Sequence, residues 1–389
     1  MRLRHRDGST VHLSYCTNVH AAEDLNGILA QLADFAEPVR ERLGADRLGL
    51  GLWFARTAAT QALVDQGALT RLRRELDHRG LEVVTLNAFP YTGFHAASVK
   101  KTVYRPDWTE PDRLSYTLDC ARILAGLLPD DVDHGSVSTL PLAWRTPWSA
   151  DRADLAFHHL DRLADGLAAL YTETGRTIRV GLEPEPGCIV ENVAQAAELS
   201  GRLATDHIGV CLDACHLATG FEDPVDACAR LAAAGLPIVK AQASCALHID
   251  DPADPAARAV LAGFAEERFL HQTRMSDVGA ASGVLGADDL PDALGGALLG
   301  DHPWRIHFHI PVHATPDPPL RSTRSELTAT LDALFGGPTA LTDHVDVETY
   351  TWSVLPVPPD RAGLVDGIAA ELAWTRDTLT ALGLKEFHQ

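Results

Sequence analysis

The chain has 389 residues, 46% of them hydrophobic and 22% charged, and its 33 Lys and Arg against 53 Asp and Glu give a formal net charge of −20. This excess of negative charge repels nucleic-acid phosphates and anionic lipids, so we expect no nucleic-acid partner and no insertion in a membrane. The basic residues near the N-terminus are not followed by an apolar segment, which favours a cytoplasmic protein.

Strand-like runs alternate with amphipathic helical runs along most of the chain, a pattern typical of a parallel sheet built from βα units. The predicted strands are VHLSYC from 11, RLGLGLWF from 47, LEVVTLNAF from 81, GSVSTL from 135, TIRVGLEPE from 177, HIGVCLD from 207, LPIVKAQA from 236 and HVDVETYTW from 344. Eight such units close an α/β (β/α)8 barrel, or TIM barrel. A single domain over residues 1–389 fits this length.

One interval between predicted strands is too long for a simple βα unit. Roughly a hundred residues separate Gln242 from Glu348, whereas one βα unit needs only about thirty. We therefore expect an insertion at about residues 245–304, before the last strand. The runs RFLHQTRM near 268 and RIHFHIPVH near 305 also have the appearance of strands.

Acidic residues follow three of the predicted strands. In a barrel of this kind the functional residues lie at the C-terminal ends of the strands, a rule that selects Glu183, Asp213 and Glu348. Three carboxylates in one barrel mouth repel each other unless a cation is bound, so the pattern predicts a divalent metal site. The structural alternatives are an exposed strand-end acid for Glu183, a helix N-cap for Asp213 and a solvent-facing strand residue for Glu348.

Further ligands are available from two other segments. The strand LPIVKAQA offers Lys240 and Gln242, and HFHIPVH offers His307, His309 and His313. We expect Gln242 or His309 to complete the metal site, with His307 and His309 on one strand face and His307 and His313 in contact with substrate. Carboxylate oxygens with amide or imidazole ligands suit Mn²⁺, Zn²⁺, Mg²⁺ or Co²⁺. A hydrogen-bonded core residue is the alternative for each histidine.

The segments GLEPEPG, CLDACH and VETYTW resemble the metal-binding strand ends of the xylose-isomerase-like TIM barrels. That superfamily includes sugar epimerases, myo-inositol catabolic enzymes and zinc phosphodiesterases of the endonuclease IV type. Over nearly the whole chain, the sequence also resembles the EboE family, the TIM barrel proteins of the Ebo metabolite-traffic gene cluster. The stretches that carry this resemblance are LSYCTNVH, LNAFPYTGFH, VKKTVYRPDW, KAQASCAL, FLHQTR, HFHIPVH and VETYTW.

These resemblances imply roles for particular residues. The epimerase pattern of Glu, Asp, His and Glu implies the same three carboxylates as metal ligands, with Gln242 where that pattern has histidine. His216 matches a histidine that contacts the substrate or a further metal, and His95 lies near a histidine of the three-zinc phosphodiesterases. The EboE resemblance implies the handling of a secondary-metabolite precursor, with other proteins of the Ebo cluster as partners.

The sequence leaves three functions open. The first is a metal-dependent isomerase or epimerase of a small sugar-like or polyol metabolite, in which Glu183 and Glu348 move the proton. The second is a zinc-dependent phosphoesterase of the endonuclease IV type. The third is a non-catalytic metabolite-binding or carrier protein, for which the aromatic loop over residues 89–108 would line a ligand groove. The further residues assigned to catalysis or substrate binding are His216, Lys240, His95, His271, Arg274, His307 and His313.

Overall fold

The computed structural model describes residues 1–65, 67–277 and 283–387. The strands are β1 (Arg2–Arg4), β2 (Thr10–Cys16), β3 (Leu48–Trp53), β4 (Leu81–Asn87), β5 (His134–Thr139), β6 (Thr177–Leu182), β7 (Ile208–Asp213), β8 (Ile238–Ala243), β9 (Leu247–Ile249), β10 (Thr273–Ser276), β11 (Val284–Ala287), β12 (Trp304–Ile306), β13 (Leu320–Ser322), β14 (His344–Val347) and β15 (Lys385–Glu386). The α-helices are α1 (Leu25–Gln31), α2 (Glu37–Leu43), α3 (Arg56–Val64), α4 (Ala68–His78), α5 (Pro111–Leu127), α6 (Ala150–Thr174), α7 (Val193–Glu198), α8 (Ala214–Thr219), α9 (Pro224–Ala233), α10 (Pro255–Leu261), α11 (Leu290–Asp292), α12 (Arg324–Phe335) and α13 (Arg361–Ala381).

Eight parallel strands form a closed barrel. Strands β2 to β8 pair in chain order, and β14 closes the ring by pairing in parallel with both β8 and β2. Every residue of β3 and β4 is buried, which explains why these strands read as nearly continuous apolar runs. The eight barrel strands are the eight predicted ones, so the (β/α)8 prediction is confirmed.

The helices between the barrel strands bury one apolar face each. In α4 the buried residues Ala68, Leu72 and Leu76 recur at four-residue spacing, so they lie on one side of the helix. The long helix α6 begins after Ser149, whose side chain accepts a hydrogen bond from the Arg152 backbone, and it ends at Gly175 with a φ of 68°. Among the described helices, none combines the length and the apolar composition needed to cross a membrane.

A second sheet lies between β8 and β14 in the chain. Its five strands are antiparallel in the order β11-β10-β12-β9-β13, and two of them come after residue 303. A separate apolar core, which includes Leu247, Met275 and Trp304, supports this sheet. The inserted segment thus has its own packing and stands beside the barrel mouth.

The strand predicted over RIHFHIPVH is shorter than expected. It ends at Ile306, and the Phe308 backbone N–H turns back to the Ile306 carbonyl, while Pro311 has no N–H to continue a ladder. The prediction that His307 and His309 share a strand face is therefore wrong. Both residues lie in an irregular segment that follows the strand.

A buried ion pair lies inside the barrel. The ammonium of Lys240 on β8 is 2.9 Å from Asp346 Oδ2 on β14, and both side chains are fully buried. Asp346 also accepts a hydrogen bond of 2.7 Å from Ser14. Gly51 on β3 makes room for this carboxylate, because a Cβ at that position would lie 2.1 Å from Asp346 Oδ2. These contacts give Lys240 a partner within the barrel.

Removal of the Lys240 charge should destabilise the fold. Lys240→Met leaves Asp346 buried without its cation, and we expect a loss of ~3–5 kcal/mol in the free energy of unfolding, measured with urea. Lys101 makes a surface pair with Asp288 and is 54% exposed, so Lys101→Met is the matched control and should change stability by less than ~1 kcal/mol. Equal effects of the two substitutions would contradict a structural role for the buried pair.

Candidate functional site

Three acidic side chains meet at the C-terminal mouth of the barrel. Glu183 follows β6, Asp213 ends β7 and Glu348 follows β14, and one oxygen from each lies within 4.8 Å of the others. All three side chains are buried. Glu183 Oε2 and Asp213 Oδ2 accept no hydrogen bond from the described residues. Free, converging carboxylate oxygens are what a divalent cation requires of its protein ligands.

The electrostatics of this cluster are unfavourable for three carboxylates alone. Burial, followed by repulsion from Asp213, raises the pKa of Glu348 to about 8. Burial, followed by the charges of Glu348 and Asp213, raises the pKa of Glu183 well above its ordinary value. A bound cation would remove both penalties, since it favours the ionised form of each acid.

Asp213 serves two purposes at once. Its Oδ1 accepts the His216 backbone N–H at 2.9 Å, which caps α8, and the Ser244 hydroxyl at 2.8 Å. These bonds leave Oδ2 directed into the cluster. The helix-cap alternative is therefore correct for one oxygen, while the other retains the geometry of a ligand.

Three side-chain amides hold Glu348. Asn18 and Asn87 donate to Glu348 Oε1 at 2.7 and 2.9 Å, and the Gln242 amide nitrogen donates to Oε2. The Gln242 amide oxygen accepts the Cys211 thiol at 2.9 Å instead of pointing at the cluster. The geometry thus supports a role for Gln242 in positioning Glu348 and does not support the predicted role as a metal ligand.

Three histidines form a second group directly beside the carboxylates. His307 Nε2 lies 3.0 Å from His216 Nε2 and 3.2 Å from His309 Nε2. The Nδ1 atom of each ring has an oxygen partner. His216 Nδ1 is 2.9 Å from the Pro184 carbonyl, His307 Nδ1 is 2.8 Å from Gln272 Oε1, and His309 Nδ1 is 2.7 Å from the Glu348 carbonyl.

These hydrogen bonds fix the tautomer of each ring. An oxygen acceptor at Nδ1 requires that nitrogen to carry the proton, so in the neutral ring Nε2 presents a lone pair. The Gln272 amide is oriented by its own bond of 2.8 Å to the Pro186 carbonyl. Three lone pairs that face each other repel, and a metal ion is the species that such a set of nitrogens binds.

A further carboxylate joins the histidines. Glu185 Oε2 is 3.0 Å from His216 Nε2, and its Oε1 accepts the Tyr104 hydroxyl at 2.9 Å. Burial lowers the pKa of His216, but the charges of Asp213 and Glu185 outweigh it and raise that pKa above its ordinary value. The strongly negative surroundings favour a cation. Nitrogen ligands with one or two carboxylates suit Zn²⁺. The all-oxygen set of Glu183, Asp213 and Glu348 suits Mg²⁺ or Mn²⁺ as well as Zn²⁺.

The other predicted residues lie behind the site or away from it. His95 bonds the Asn18 carbonyl at 2.8 Å, and His271 bonds Glu266 at 2.8 Å and the His307 carbonyl at 3.0 Å. Both therefore support residues of the site without lining it. The side chains that the structure keeps out of the pocket are Lys240, paired with Asp346, Arg274, paired with Glu191, and His313, stacked on Trp352.

Sequence reasoning missed part of the site. It assigned no role to Asn18, Asn87, Tyr104 or Gln272 and gave Glu185 no ligand role. Asn87 ends β4, and Asn18 comes two residues after β2, so the rule that selected the acids would have selected both amides. No comparable signal marks Tyr104, which ends the 3-10 helix Lys100–Tyr104, or Gln272, which lies just before β10, because neither follows a barrel strand.

The family of the chain follows from these observations and from its sequence. Residues 41–273 match the xylose isomerase-like TIM barrel family, and the chain belongs to that family. Similar solved structures include the IolI protein with a bound zinc atom, at 15% identity and a TM-score of 0.50 over 95% of this chain and 99% of that one. An L-ribulose 3-epimerase has 12% identity and a TM-score of 0.51 over 96% and 95%. No curated protein sequence matches the chain.

Loss of one imidazole should remove metal from the histidine group. We expect His307→Ala to lose about one equivalent of Zn²⁺ after loading and dialysis, measured by inductively coupled plasma mass spectrometry, because its Nε2 lies between the other two. His313→Ala is the matched control from the same segment and should retain the metal of the wild type. Equal metal contents in the two variants would contradict the assignment.

The acidic cluster should make the metal-free protein sensitive to pH. Since the pKa of Glu348 is raised to about 8 in the folded chain, the folded state keeps a proton that the unfolded state has lost. Its unfolding free energy should therefore fall as pH rises from 5 toward 8, by up to ~1 kcal/mol per pH unit from this group. Urea unfolding of wild type and Glu348→Gln isolates the effect, and identical slopes for the two proteins would contradict it.

Proposed function

We propose that the protein is a metal-dependent isomerase or epimerase that moves a proton next to the carbonyl of a small hydroxylated metabolite. The observation that carries the proposal is the pair Glu183 and Glu348, which follow different strands and lie beside Asp213 at the barrel mouth, with one oxygen from each of the three within 4.8 Å of the others. Two carboxylates on opposite sides of one substrate carbon are suited to removing and returning a proton.

The donor set fits a divalent ion. Glu183, Asp213 and Glu348 would hold one such ion, and Glu185, His216 and His307 would hold a second, with His309 beside them. A bound ion supplies Lewis acidity, which polarises a substrate carbonyl and lowers the cost of negative charge on its oxygen. The unbonded oxygens Glu183 Oε2 and Asp213 Oδ2 support this assignment.

The proton steps use side chains of this chain. One oxygen of Glu183 would hold the ion, and the other would take the proton as the substrate C–H bond breaks; Oε2 has no hydrogen-bond partner among the described residues that would compete for either role. The electron pair of that bond forms a second bond between the two carbons while the carbonyl π electrons move onto the carbonyl oxygen, so the substrate becomes an enediolate. Glu348, held still by Asn18 and Asn87, enters the step protonated and gives that proton to the neighbouring carbon or to the opposite face of the same carbon; Glu183 then loses its proton to solvent and Glu348 takes one up, which restores both carboxyls.

The histidine group supports a second candidate, which is zinc-dependent hydrolysis of a phosphate ester. Hydrolysis of bis(p-nitrophenyl) phosphate by the zinc-loaded protein would favour it. The first function is preferred because, outside the proposed ion sites, the pocket offers little free positive charge for a phosphate ester. Its described lining contains one Lys or Arg, Lys100, and that ammonium is already 2.7 Å from Asp289 Oδ2.

The wider biological role is also proposed. The seven stretches that resemble EboE proteins contribute many of the residues around the pocket, among them Asn18, Asn87, Tyr104, His307 and Glu348. This coincidence supports an EboE-type role in secondary-metabolite precursor handling, with other proteins of the Ebo cluster as partners. The cytoplasmic location stays a prediction.

Proton exchange tests the proposal without knowledge of the natural substrate. The metal-loaded protein should incorporate deuterium from D2O next to the carbonyl of an accepted hydroxyketone, followed by NMR over a panel of such compounds. Glu183→Gln and Glu348→Gln should each lower the exchange rate by ~10²–10⁴-fold, because amides do not exchange the proton.

Glu222 gives a control for these variants, since it is half-buried and lies outside the pocket. Glu222→Gln should exchange at the wild-type rate. Full exchange by Glu183→Gln or Glu348→Gln would remove that residue from the mechanism. Tight binding of a hydroxyketone with no exchange in the wild type would favour a carrier over an enzyme.

A further inference from the structure

The side of the pocket that faces the carboxylates and histidines is apolar. Phe89, Phe94 and Val99 from the segment after β4 and Phe269 from the inserted segment are buried and line the same pocket as Glu183 and Glu348. We call the carboxylates and histidines of the pocket the polar floor. A ligand bound to the polar floor therefore also meets hydrocarbon. We call this side the aromatic wall, and it is defined by Phe89, Phe94, Val99, Phe269 and Tyr350.

Three rings of the aromatic wall contact one another. The ring centroids are 5.0 Å apart for Phe94 and Phe269, 5.3 Å for Phe94 and Tyr350, and 4.9 Å for Phe269 and Tyr350. Tyr350 also lies 4.7 Å from the ring of His309. The three rings come from distant parts of the chain, so only folding brings them together next to His309.

Charge on the aromatic wall is already compensated. Lys100 binds Asp289 Oδ2 at 2.7 Å and the carbonyls of Phe269 and Glu266 at 2.8 and 3.1 Å. Within the described lining, then, the one ammonium is committed to bonds within the protein. A phosphate or carboxylate on the part of the ligand that lies against the aromatic wall, away from the metal ions, would lose its water without gaining a cation.

The free space between floor and wall is small. The cavity, including the space beside the aromatic wall, measures about 50 Å³, so it accommodates the metal-binding end of a ligand, and a ring-sized group enters only as side chains of the wall move apart. Any larger part of the ligand must lie among the rings of the aromatic wall. Within the aromatic wall the one polar side-chain group is the Tyr350 hydroxyl, which lies 3.5 Å from His307 Nε2. A ligand hydroxyl placed against Phe89, Phe94, Val99 or Phe269 would be buried without a side-chain partner, at a cost of ~1–3 kcal/mol, whereas an apolar group gains from the same burial.

We propose that the substrate joins two metal-binding oxygens to an uncharged apolar group of about ring size, and that Phe94, Phe269 and Tyr350 select that group. This inference rests on the proposed function for the oxygen-bearing end. It departs from a phosphorylated or fully hydroxylated sugar, for which the aromatic wall provides neither a free cation nor a set of hydrogen-bond partners.

Three hydroxamates that share one chelating group test the proposal. Isothermal titration of the zinc-loaded protein compares acetohydroxamate, benzohydroxamate and phosphoglycolohydroxamate. We expect benzohydroxamate to bind ~10-fold more tightly than acetohydroxamate, because its ring adds buried apolar surface. Phosphoglycolohydroxamate should bind no more tightly than acetohydroxamate.

Two substitutions separate the aromatic wall from the chelating floor. Phe269→Ala should reduce the preference for benzohydroxamate to within ~3-fold while acetohydroxamate keeps its affinity, and Phe269→Leu should give an intermediate preference, because less ring surface is buried. Phe35→Ala, a half-buried ring outside the pocket, should keep the preference of the wild type.

The possible failures are distinguishable. If all three hydroxamates bind but acetohydroxamate matches benzohydroxamate, or the phosphorylated compound binds most tightly, the proposal on the substrate is overturned and the metal site stands. If none binds to zinc-loaded protein, the proposed function is overturned together with this inference. A preference for benzohydroxamate that survives Phe269→Ala would overturn the role of Phe269.

Discussion

Repulsion between buried carboxylates is the constraint on which the rest of the site depends. Glu183, Asp213 and Glu348 are brought together by the parallel strands of the barrel, which all end at the same rim. Burial and mutual charge make their ionised forms costly. The surrounding amides donate to Glu348 and hold it in place, and the histidines turn the Nε2 atoms inward as a set of metal ligands would. The need of these carboxylates for a cation thus links the barrel, which brings them together, to the proposed metal-dependent chemistry.

The barrel and the acids were predictable because their signals are local. A buried parallel strand is a continuous apolar run, and its end is marked in the sequence by residues such as Pro184 after Glu183. The rule that strand ends carry the functional groups then selects Asp213 and Glu348 as well. Nothing beyond the strand pattern was needed for this part of the site.

The rest of the site depends on where the chain runs after its strands end, which no local sequence pattern shows. HFHIPVH could not show that the strand stops at Ile306, so the separation of His307 and His309 from His313 became visible only in the fold. Gln242 lies on the expected strand, yet its amide nitrogen donates to Glu348 and its amide oxygen accepts from the Cys211 thiol. Arg274 was expected to bind substrate, but its strand belongs to the inserted sheet, and its side chain pairs with Glu191.

Anomalous diffraction from crystals loaded with Zn²⁺ tests the central claim most directly. Data on both sides of the zinc absorption edge should place a peak between Glu183, Asp213 and Glu348, and a second between His216, His307 and His309. Absence of zinc from both positions in crystals where the side chains keep the arrangement described above would contradict the claim that these groups are assembled around metal ions.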